Sequence, residues 1–322
     1  MAMSKPTLVL CALSLIVGCM VGPAEPYAYV WQSNAISLPE GVVLGNTHGC
    51  VDVAANGDVY LCTDSKPAIF VFDANGVFKK NIGEDLSGGL HGLEIVQEGD
   101  SEYLFVAHTG QHQVQKLSLD GEVLLSVAWP QESGKYKSAD EYAPTSVAAL
   151  PDGSFMVADG YGKSWVHIYD AVGNWQSCFG GWGSEDGQFK TPHGISYDAY
   201  LDKVVVADRE NRRLQLFDTD GTFSSVVAAE LNRPCHVDVN EDGWLVAELE
   251  GRVTILNRAG EVLKHLGEQP DPALRATNRV DYDKWSDGVF LSPHCAAWGN
   301  NGDIWVSDWN FRGRLSQLTL ER

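Results

Sequence analysis

The sequence predicts an all-β fold, a six-bladed β-propeller. A buried-strand run that ends in a small residue, and usually in an acid, occurs six times, at 59–64, 103–108, 155–159, 204–208, 244–248 and 304–308. These runs divide the chain after residue 35 into units of roughly 48 residues, a length typical of a four-stranded propeller blade. Three histidines recur in every second unit, so a closed ring would place them one third of a turn apart.

Each unit also carries hairpin signals. Four segments join two alternating apolar runs through a D/N-x-x-G turn, at 70–78, 166–175, 214–223 and 253–262, and 116–125 is a shortened version. Period-two alternation that is bounded by Gly and Asn or Asp is typical of β-hairpins. The hairpins supply the outer strands that complete each predicted blade.

Each unit has one residue, some distance before the buried run, that is expected to begin the strand nearest the propeller axis. The residues at this axial position are His48, His91, Thr145, His193, Cys235 and His294. Side chains at equivalent places in a closed ring face the same central channel. The axial positions are therefore where the sequence predicts a site.

The last unit has only three evident strands. We expect residues 27–33 to supply its outer strand, which closes the ring and protects two edges that would otherwise be exposed. The longest polar insertion, 129–144, is expected to form a loop near the mouth of the channel.

The first 25 residues are interpreted as a signal peptide, which leaves residues 26–322 for the propeller. An apolar stretch at 7–18 follows Lys5 and has the length of a secretory segment. It leads into Cys19 within a sequence that resembles a bacterial lipoprotein cleavage site, and we prefer this interpretation to ordinary cleavage near Ala24. Either alternative predicts an extracytoplasmic protein, as a cell-envelope lipoprotein or a secreted product.

The formal charge of −20 argues against a nucleic-acid partner, because phosphates would be repelled at long range. It also argues against binding to anionic lipids, so membrane attachment is expected only through a lipid anchor at Cys19. A small molecule or a peptide is the expected substrate, and the chain is expected to be a monomer.

Five cysteines remain once Cys11 and Cys19 are set aside, and an odd number in an exported protein leaves at least one free thiol. Cys50 and Cys62 flank the first hairpin and are the best candidates for a disulfide. Cys235 and Cys295 could lie near the axis, although a small buried packing residue is the commoner role of a free cysteine.

The recurring histidines predict a metal site. His91, His193 and His294 are 102 and 101 residues apart (193 − 91 and 294 − 193). Packing has no reason to select threefold symmetry, whereas a metal ion does. Three imidazoles would leave zinc an open fourth position, which is typical of a catalytic site. His48 is interpreted as a packing or hydrogen-bonding residue.

The stretch 157–218 resembles NHL-repeat propellers and, among them, the peptidyl-α-hydroxyglycine α-amidating lyase family. The motifs that carry the resemblance are VADGYGKSWVHIYD, FGGWGSEDGQFKTPHGISYD and VVVADRENRRLQLFD. The resemblance implies that His91, His193 and His294 bind zinc, that Tyr161 is the catalytic tyrosine and that Arg209 is an active-site arginine.

The chain departs from this family at three positions. A second active-site arginine has only Lys66 nearby, and a family cysteine beside the tyrosine corresponds to Gly162. The family also implies a structural calcium ion, although the aspartate that helps to bind it corresponds to Cys295 here.

Tyr161 and Arg209 follow the acid-ended runs of adjacent units, so both are expected at one mouth of the channel. Alternatives are a packing role for Tyr161 and an ion pair of Arg209 with Glu210 or Asp159. A tyrosine has an ordinary pKa of about 10. It can act as a base near neutrality only if nearby positive charge lowers that pKa.

These residues predict metal-assisted lyase chemistry on a carbinolamide-like substrate. The resemblance implies a zinc-dependent lyase that cleaves the carbon–nitrogen bond of an α-hydroxyglycine-like substrate to an amide and glyoxylate or a related 2-oxo acid. Tyr161 would remove the hydroxyl proton and Arg209 would hold a carboxylate. The alternatives are a non-catalytic NHL propeller that binds a protein or peptide, and a lactonase-like hydrolase.

Overall fold

The computed structural model describes residues 27–321 and confirms the six-bladed β-propeller, with six four-stranded antiparallel sheets. The predicted signal peptide and the lipidation of Cys19 lie outside the described residues. In the part of the chain that the structure describes, no helix has the length and apolar character that a bilayer crossing would require.

In the first five blades the strands follow chain order from the axis outward. Blade one contains β2 (Val51–Val53), β3 (Val59–Cys62), β4 (Ile69–Phe72) and β5 (Phe78–Ile82). Blade two contains β6 (Leu90–Glu98), β7 (Ser101–His108), β8 (Gln113–Ser118) and β9 (Val123–Ala128). Blade three contains β10 (Ser146–Ala149), β11 (Phe155–Ala158), β12 (Trp165–Tyr169) and β13 (Trp175–Gly180). Blade four contains β14 (Pro192–Asp198), β15 (Lys203–Asp208), β16 (Arg213–Phe217) and β17 (Phe223–Ala228). Blade five contains β18 (Pro234–Val239), β19 (Trp244–Glu248), β20 (Arg252–Leu256) and β21 (Val262–Leu266).

Blade six combines the two ends of the described chain. It contains β22 (Pro293–Trp298), β23 (Ile304–Asp308), β24 (Arg314–Leu320) and β1 (Tyr29–Gln32). Strand β1 pairs antiparallel with β24, with Tyr29 opposite Leu320 and Gln32 opposite Gln317. The helices among residues 27–321 are single 3-10 turns at Glu84–Leu86, Gln131–Ser133, Ala139–Glu141, Arg209–Asn211, Pro272–Leu274 and Tyr282–Lys284.

The first strand of each blade contacts the first strand of the next, and β22 contacts β2 to complete the circle. These six inner strands surround the central channel. Residues near the start of each inner strand therefore approach one another across the axis, although they are far apart in the chain.

The hydrophobic core lies between neighbouring blades rather than at the axis. In β11, Met156 and Ala158 pack against blade four, whereas Phe155 and Val157 pack against blade two. The second strand of each blade is thus covered on both faces, so its sequence is a continuous apolar run without polar alternation. This double burial explains the six runs in the sequence.

The cysteines correct one expectation. Cys50 and Cys62 are both free and buried, and the Cys62 thiol lies 3.3 Å from the Cys50 carbonyl oxygen, to which it donates a hydrogen bond. Within residues 27–321 no disulfide is formed. The two residues do flank the first hairpin as expected, but the inter-blade core already holds that hairpin in place.

Candidate functional site

Four axial residues are the extra residues of β-bulges. The register of the inner strand shifts at His91, His193, Cys235 and His294, each of which has no direct partner on the second strand. A bulge bends a strand locally and redirects the side chain of the inserted residue. In three blades that redirected side chain is an imidazole, and it enters the channel.

The three predicted ligands form a nearly equilateral triangle. The ring centroids of His91, His193 and His294 are 4.7 Å apart in all three pairs. His48 joins them, with centroid distances of 5.1 Å to His91 and 5.0 Å to His294. The ligating atoms of His48, His91 and His294 all lie within 4.8 Å of one another.

Hydrogen bonds fix the tautomers of two rings. Nδ1 of His91 lies 2.8 Å from the Thr145 carbonyl oxygen, and Nδ1 of His193 lies 2.8 Å from that of Cys235. A carbonyl oxygen only accepts, so Nδ1 carries the proton and Nε2 presents its lone pair. Both acceptors belong to the next blade, so the closed ring itself orients the imidazoles for a metal ion.

The third ring supplies the test of whether a metal ion fits. Neither nitrogen of His294 has a hydrogen-bond partner, although the residue is only 1% exposed. An unpaired buried nitrogen is costly, and a coordinated cation would satisfy one of these two. Burial lowers the pKa of His91, His193 and His294 well below 6.5, so all three are neutral near pH 7, as metal ligands must be. The residues present therefore fit a metal ion.

The acids that end the second strands hold the axial residues in place. The Asp208 carboxylate accepts a 2.7 Å hydrogen bond from the backbone N–H of Lys190, just before His193. Asp308 likewise accepts from the backbone N–H groups of Leu291 and Ser292, just before His294. These carboxylates are fully buried and pair with arginines of the third strands, Arg213 and Arg314.

Tyr161 brings a hydroxyl group to the histidines. Its oxygen lies 2.9 Å from Nε2 of His193, 3.3 Å from that of His91 and 3.4 Å from that of His48. Arg209 donates to the same hydroxyl from Nη1 at 3.3 Å. Tyr161 is 37% exposed, so the cluster opens to solvent at this mouth of the channel.

The electrostatics of Tyr161 differ from the expectation. The hydroxyl end of Tyr161 is enclosed by the imidazoles and Arg209, although part of the residue is exposed. This burial raises the pKa of Tyr161 to about 12, and Arg209 opposes the rise without reversing it. A cation among the imidazoles would add the positive charge that is needed to lower the pKa of Tyr161. Arg209 also forms an ion pair with Glu210, as the alternative interpretation of Arg209 predicts. Nε of Arg209 lies 2.9 Å from Oε1 of Glu210.

Gly162 has a local structural reason. A Cβ atom at this position would lie 2.0 Å from Oδ1 of Asp159. Asp159 is fully buried and accepts hydrogen bonds from the backbone N–H groups of Ala143 and Lys163. It therefore ties the Tyr161 turn to the 129–144 insertion, and glycine leaves room for this contact.

Two further residues reach the site although the sequence did not predict a role for them there. His48 is expected to pack or to form hydrogen bonds and does both, but it also lies close enough to His91 and His294 to share a metal ion with them. Its place in the axial series was the available signal. Arg233 shares Glu210 with Arg209, with Nη2 2.5 Å from Oε1. No motif marks Arg233, because its approach depends on the contact between blades four and five.

The structure thus brings His91, His193, His294, Tyr161 and Arg209 together at one end of the channel. This arrangement combines neutral imidazoles for a cation, a hydroxyl group within reach of them and a guanidinium at the mouth. Such a site can bind an anionic substrate and move a proton at an atom near the cation.

Comparison with known proteins relates this chain to amidating enzymes. It is 33% identical over 146 residues to a probable peptidyl-alpha-hydroxyglycine alpha-amidating lyase of Caenorhabditis elegans, covering 43% of this chain and 41% of that protein. It is 32% identical over 274 residues to the peptidyl-glycine alpha-amidating monooxygenase of Mus musculus, covering 79% of this chain and 26% of that protein. The chain thus spans less than half the length of either relative. No protein-family model matches it.

Among solved structures, a streptogramin B lyase is similar with a TM-score of 0.61 and 13% identity, over 91% of this chain and 98% of that one. This likeness shows the fold alone. The chain is a six-bladed β-propeller that resembles the peptidyl-alpha-hydroxyglycine alpha-amidating lyases in sequence.

Proposed function

We propose that this protein is a zinc-dependent lyase that cleaves an α-hydroxyglycine-like substrate to an amide and glyoxylate or a related 2-oxo acid. The observation that carries the proposal is the position of the Tyr161 hydroxyl, within 3.4 Å of three imidazole nitrogens and beside Arg209. The similarity to amidating lyases supports the same reaction, although the relatives are longer proteins.

His91, His193 and His294 would hold the zinc ion, and His48 is placed to be a fourth ligand or to orient the substrate. When bound, zinc supplies Lewis-acid activation that lowers the pKa of the substrate hydroxyl. The rings of His91, His193 and His294 are buried, so they shield their side of this position from bulk water. The approach of substrate is then restricted to the mouth where Tyr161 and Arg209 lie.

Tyr161 would act as the proton carrier. In its ionised form the phenolate oxygen accepts the proton of the substrate hydroxyl, while the carbon–oxygen bond becomes a carbonyl. The electron pair of the carbon–nitrogen bond leaves with the amide nitrogen, and Tyr161 returns the proton to that nitrogen. No oxidant or water is consumed, and Tyr161 ends in the state in which it began.

Arg209 and Arg233 would bind the substrate carboxylate. Their guanidinium groups converge on Glu210, which holds both side chains at the mouth. A guanidinium can bind a carboxylate through two parallel hydrogen bonds, which fixes the orientation of the substrate. Arg233 would thereby supply a second guanidinium group, since blade one has only Lys66 where the resemblance implies an arginine.

The remaining expectations are part of the same proposal. A secreted or lipid-anchored monomer that acts on small molecules or peptides is consistent with the charge of −20. The carboxylate-binding arginines are neutralised in part by Glu210, so a single anionic group can be accommodated without a broadly basic surface.

The deciding experiment measures glyoxylate release from a short peptide that ends in α-hydroxyglycine. We expect turnover by the zinc-loaded protein, loss after chelation and recovery on adding zinc. Tyr161→Phe should abolish turnover, while Tyr200→Phe, at an exposed position of blade four, should not. Absence of glyoxylate from the zinc-loaded protein would favour a non-catalytic propeller, and hydrolysis of a small lactone instead would favour a lactonase.

A further inference from the structure

A second group of ligating side chains lies beside the histidine cluster. The sulfur atoms of Cys50 and Cys295 and a ring nitrogen of His236 all lie within 4.8 Å of one another. His236 and Cys295 lie on the inner strands of blades five and six, and Cys50 directly precedes the inner strand of blade one. Each is one or two residues further along its strand than the axial residue, so the group lies one step along the channel.

The β-bulge in blade six explains how two consecutive residues serve two different clusters. His294 is the bulged residue and contacts His91 and His193, while Cys295 resumes the pairing opposite Ser307. The Cys295 sulfur lies 3.5 Å from the Val51 carbonyl oxygen. The His294 ring therefore enters the channel, whereas Cys295 packs against blade one in the same buried cluster as Cys50.

His236 presents one nitrogen as a ligand. Its Nδ1 lies 3.1 Å from the Ala296 carbonyl oxygen and donates a hydrogen bond to it. The lone pair of the neutral ring is then on Nε2. The acceptor belongs to the next blade, which is the arrangement that orients His91 and His193 in the other cluster.

Two carboxyl groups lie on the same inner strands as this group. Asp52 and Asp238 lie two residues beyond Cys50 and His236 on the same inner strands, and therefore on the same faces. Asp52 accepts hydrogen bonds from the backbone N–H groups of Val53 and Ile95, and Asp238 from those of Val239 and Trp298. The hydrogen bonds to Ile95 and Trp298 reach the neighbouring blade, so these acids fix the inner strands that carry Cys50 and His236.

We propose that Cys50, His236 and Cys295 form a second metal site that binds a soft cation, Zn²⁺ or Cu⁺. Thiolate and imidazole ligands select these ions, whereas Ca²⁺ and Mg²⁺ require oxygen ligands. Binding converts the two thiols to thiolates and releases two protons to solvent. The site is independent of the proposed lyase activity, because it uses none of the residues that were assigned to that reaction.

Cobalt provides the test, because Co²⁺ bound to thiolates has a sulfur-to-cobalt charge-transfer absorption in the near ultraviolet that a site of histidines alone lacks. We expect this absorption when Co²⁺ is added to the reduced, metal-free full chain. Cys295→Ser and Cys50→Ser should remove it, and His236→Gln should weaken or shift it. Cys178→Ser, on the outer strand of blade three, is the matched control and should leave it unchanged.

Metal analysis separates this proposal from the lyase proposal. The parent should bind two equivalents of Zn²⁺, Cys295→Ser one, and His193→Ala should lose one equivalent while keeping the cobalt–thiolate absorption. Far-ultraviolet circular dichroism shows whether each variant is folded. The proposed second site would be contradicted if the parent lacked the cobalt–thiolate absorption or if folded Cys295→Ser retained it. A Cys50–Cys295 disulfide, seen as two fewer thiols in the unreduced denatured protein than in the reduced one, would contradict it as well.

Discussion

The hydroxyl oxygen of Tyr161 lies 2.9 Å from Nε2 of His193. One O–H group can donate to only one acceptor, so the lone pairs of the neighbouring imidazoles cannot all be satisfied by Tyr161. The unpaired nitrogens of His294 add to this deficit. A cation bound among the rings would satisfy the lone pairs together and would leave Tyr161 free to act on a substrate.

Replacing Tyr161 with phenylalanine should separate metal binding from turnover. The variant keeps the ring but loses the hydroxyl, so we expect one zinc in the histidine site and a fall in kcat of roughly 10²–10⁴-fold. Glyoxylate release and zinc content are measured on the same sample. Full activity of the variant would exclude Tyr161 as the proton carrier.

Replacing His193 with alanine should remove the metal from the histidine site while the fold persists. The ring lies in the channel rather than in the inter-blade core, so its loss leaves the packing between blades intact. Zinc content and circular dichroism check the two statements. His265→Ala, on the outermost strand of blade five, is the control and should keep the zinc; unchanged zinc affinity in His193→Ala would contradict the ligand assignment.

Replacing Arg209 with lysine should weaken binding of the substrate carboxylate. Lysine keeps the charge but loses the paired N–H donors, and hydrogen bonds to charged groups contribute about 1.5–3 kcal/mol. We therefore expect KM to rise about tenfold to a hundredfold. The effect should disappear for a substrate whose carboxylate is esterified, and Arg212→Lys, which pairs with Glu250 at the surface, should leave KM unchanged.

The pH dependence of stability should depend on His167, which lies in the core between blades two and three. Its Nδ1 accepts a hydrogen bond from Trp175 at 3.2 Å, so Nε2 carries the proton and donates to the Tyr136 oxygen at 2.7 Å. Burial lowers the pKa of His167 to about 3. The folded state then binds fewer protons than the unfolded state between about pH 3 and 6.5, so stability is lost as the pH falls through this window.

The comparison with His167→Gln isolates this effect. Asp159, whose pKa burial raises to about 6, is present in both proteins and contributes equally. The free energy of unfolding of the parent, relative to the variant, should fall by about 1.4 kcal/mol per pH unit below pH 6.5. Urea titrations at several pH values measure this difference, and a difference that stays constant from pH 6.5 to 4 would show that His167 does not titrate in the folded protein.

The fold could be predicted because the same burial pattern recurs in every blade. The second strands are buried on both faces, so runs such as 155–159 and 204–208 are apolar throughout and recur once in each blade. The site could be predicted in part, since His91, His193 and His294 share one position in that repeat. The bulges could not be predicted, because a bulge arises from the way an inner strand pairs with its neighbour.

The sequence by itself determined the number of blades, the threefold spacing of the histidines and the placement of Tyr161 and Arg209 after acid-ended strands. Only the tertiary structure decided that His48 and Arg233 approach the same site, that Cys50 and Cys62 stay unlinked and that Cys50, His236 and Cys295 meet. The physical reason is that these contacts form across the channel or between blades, where strand register and side-chain direction set the distances and separation along the chain carries no information.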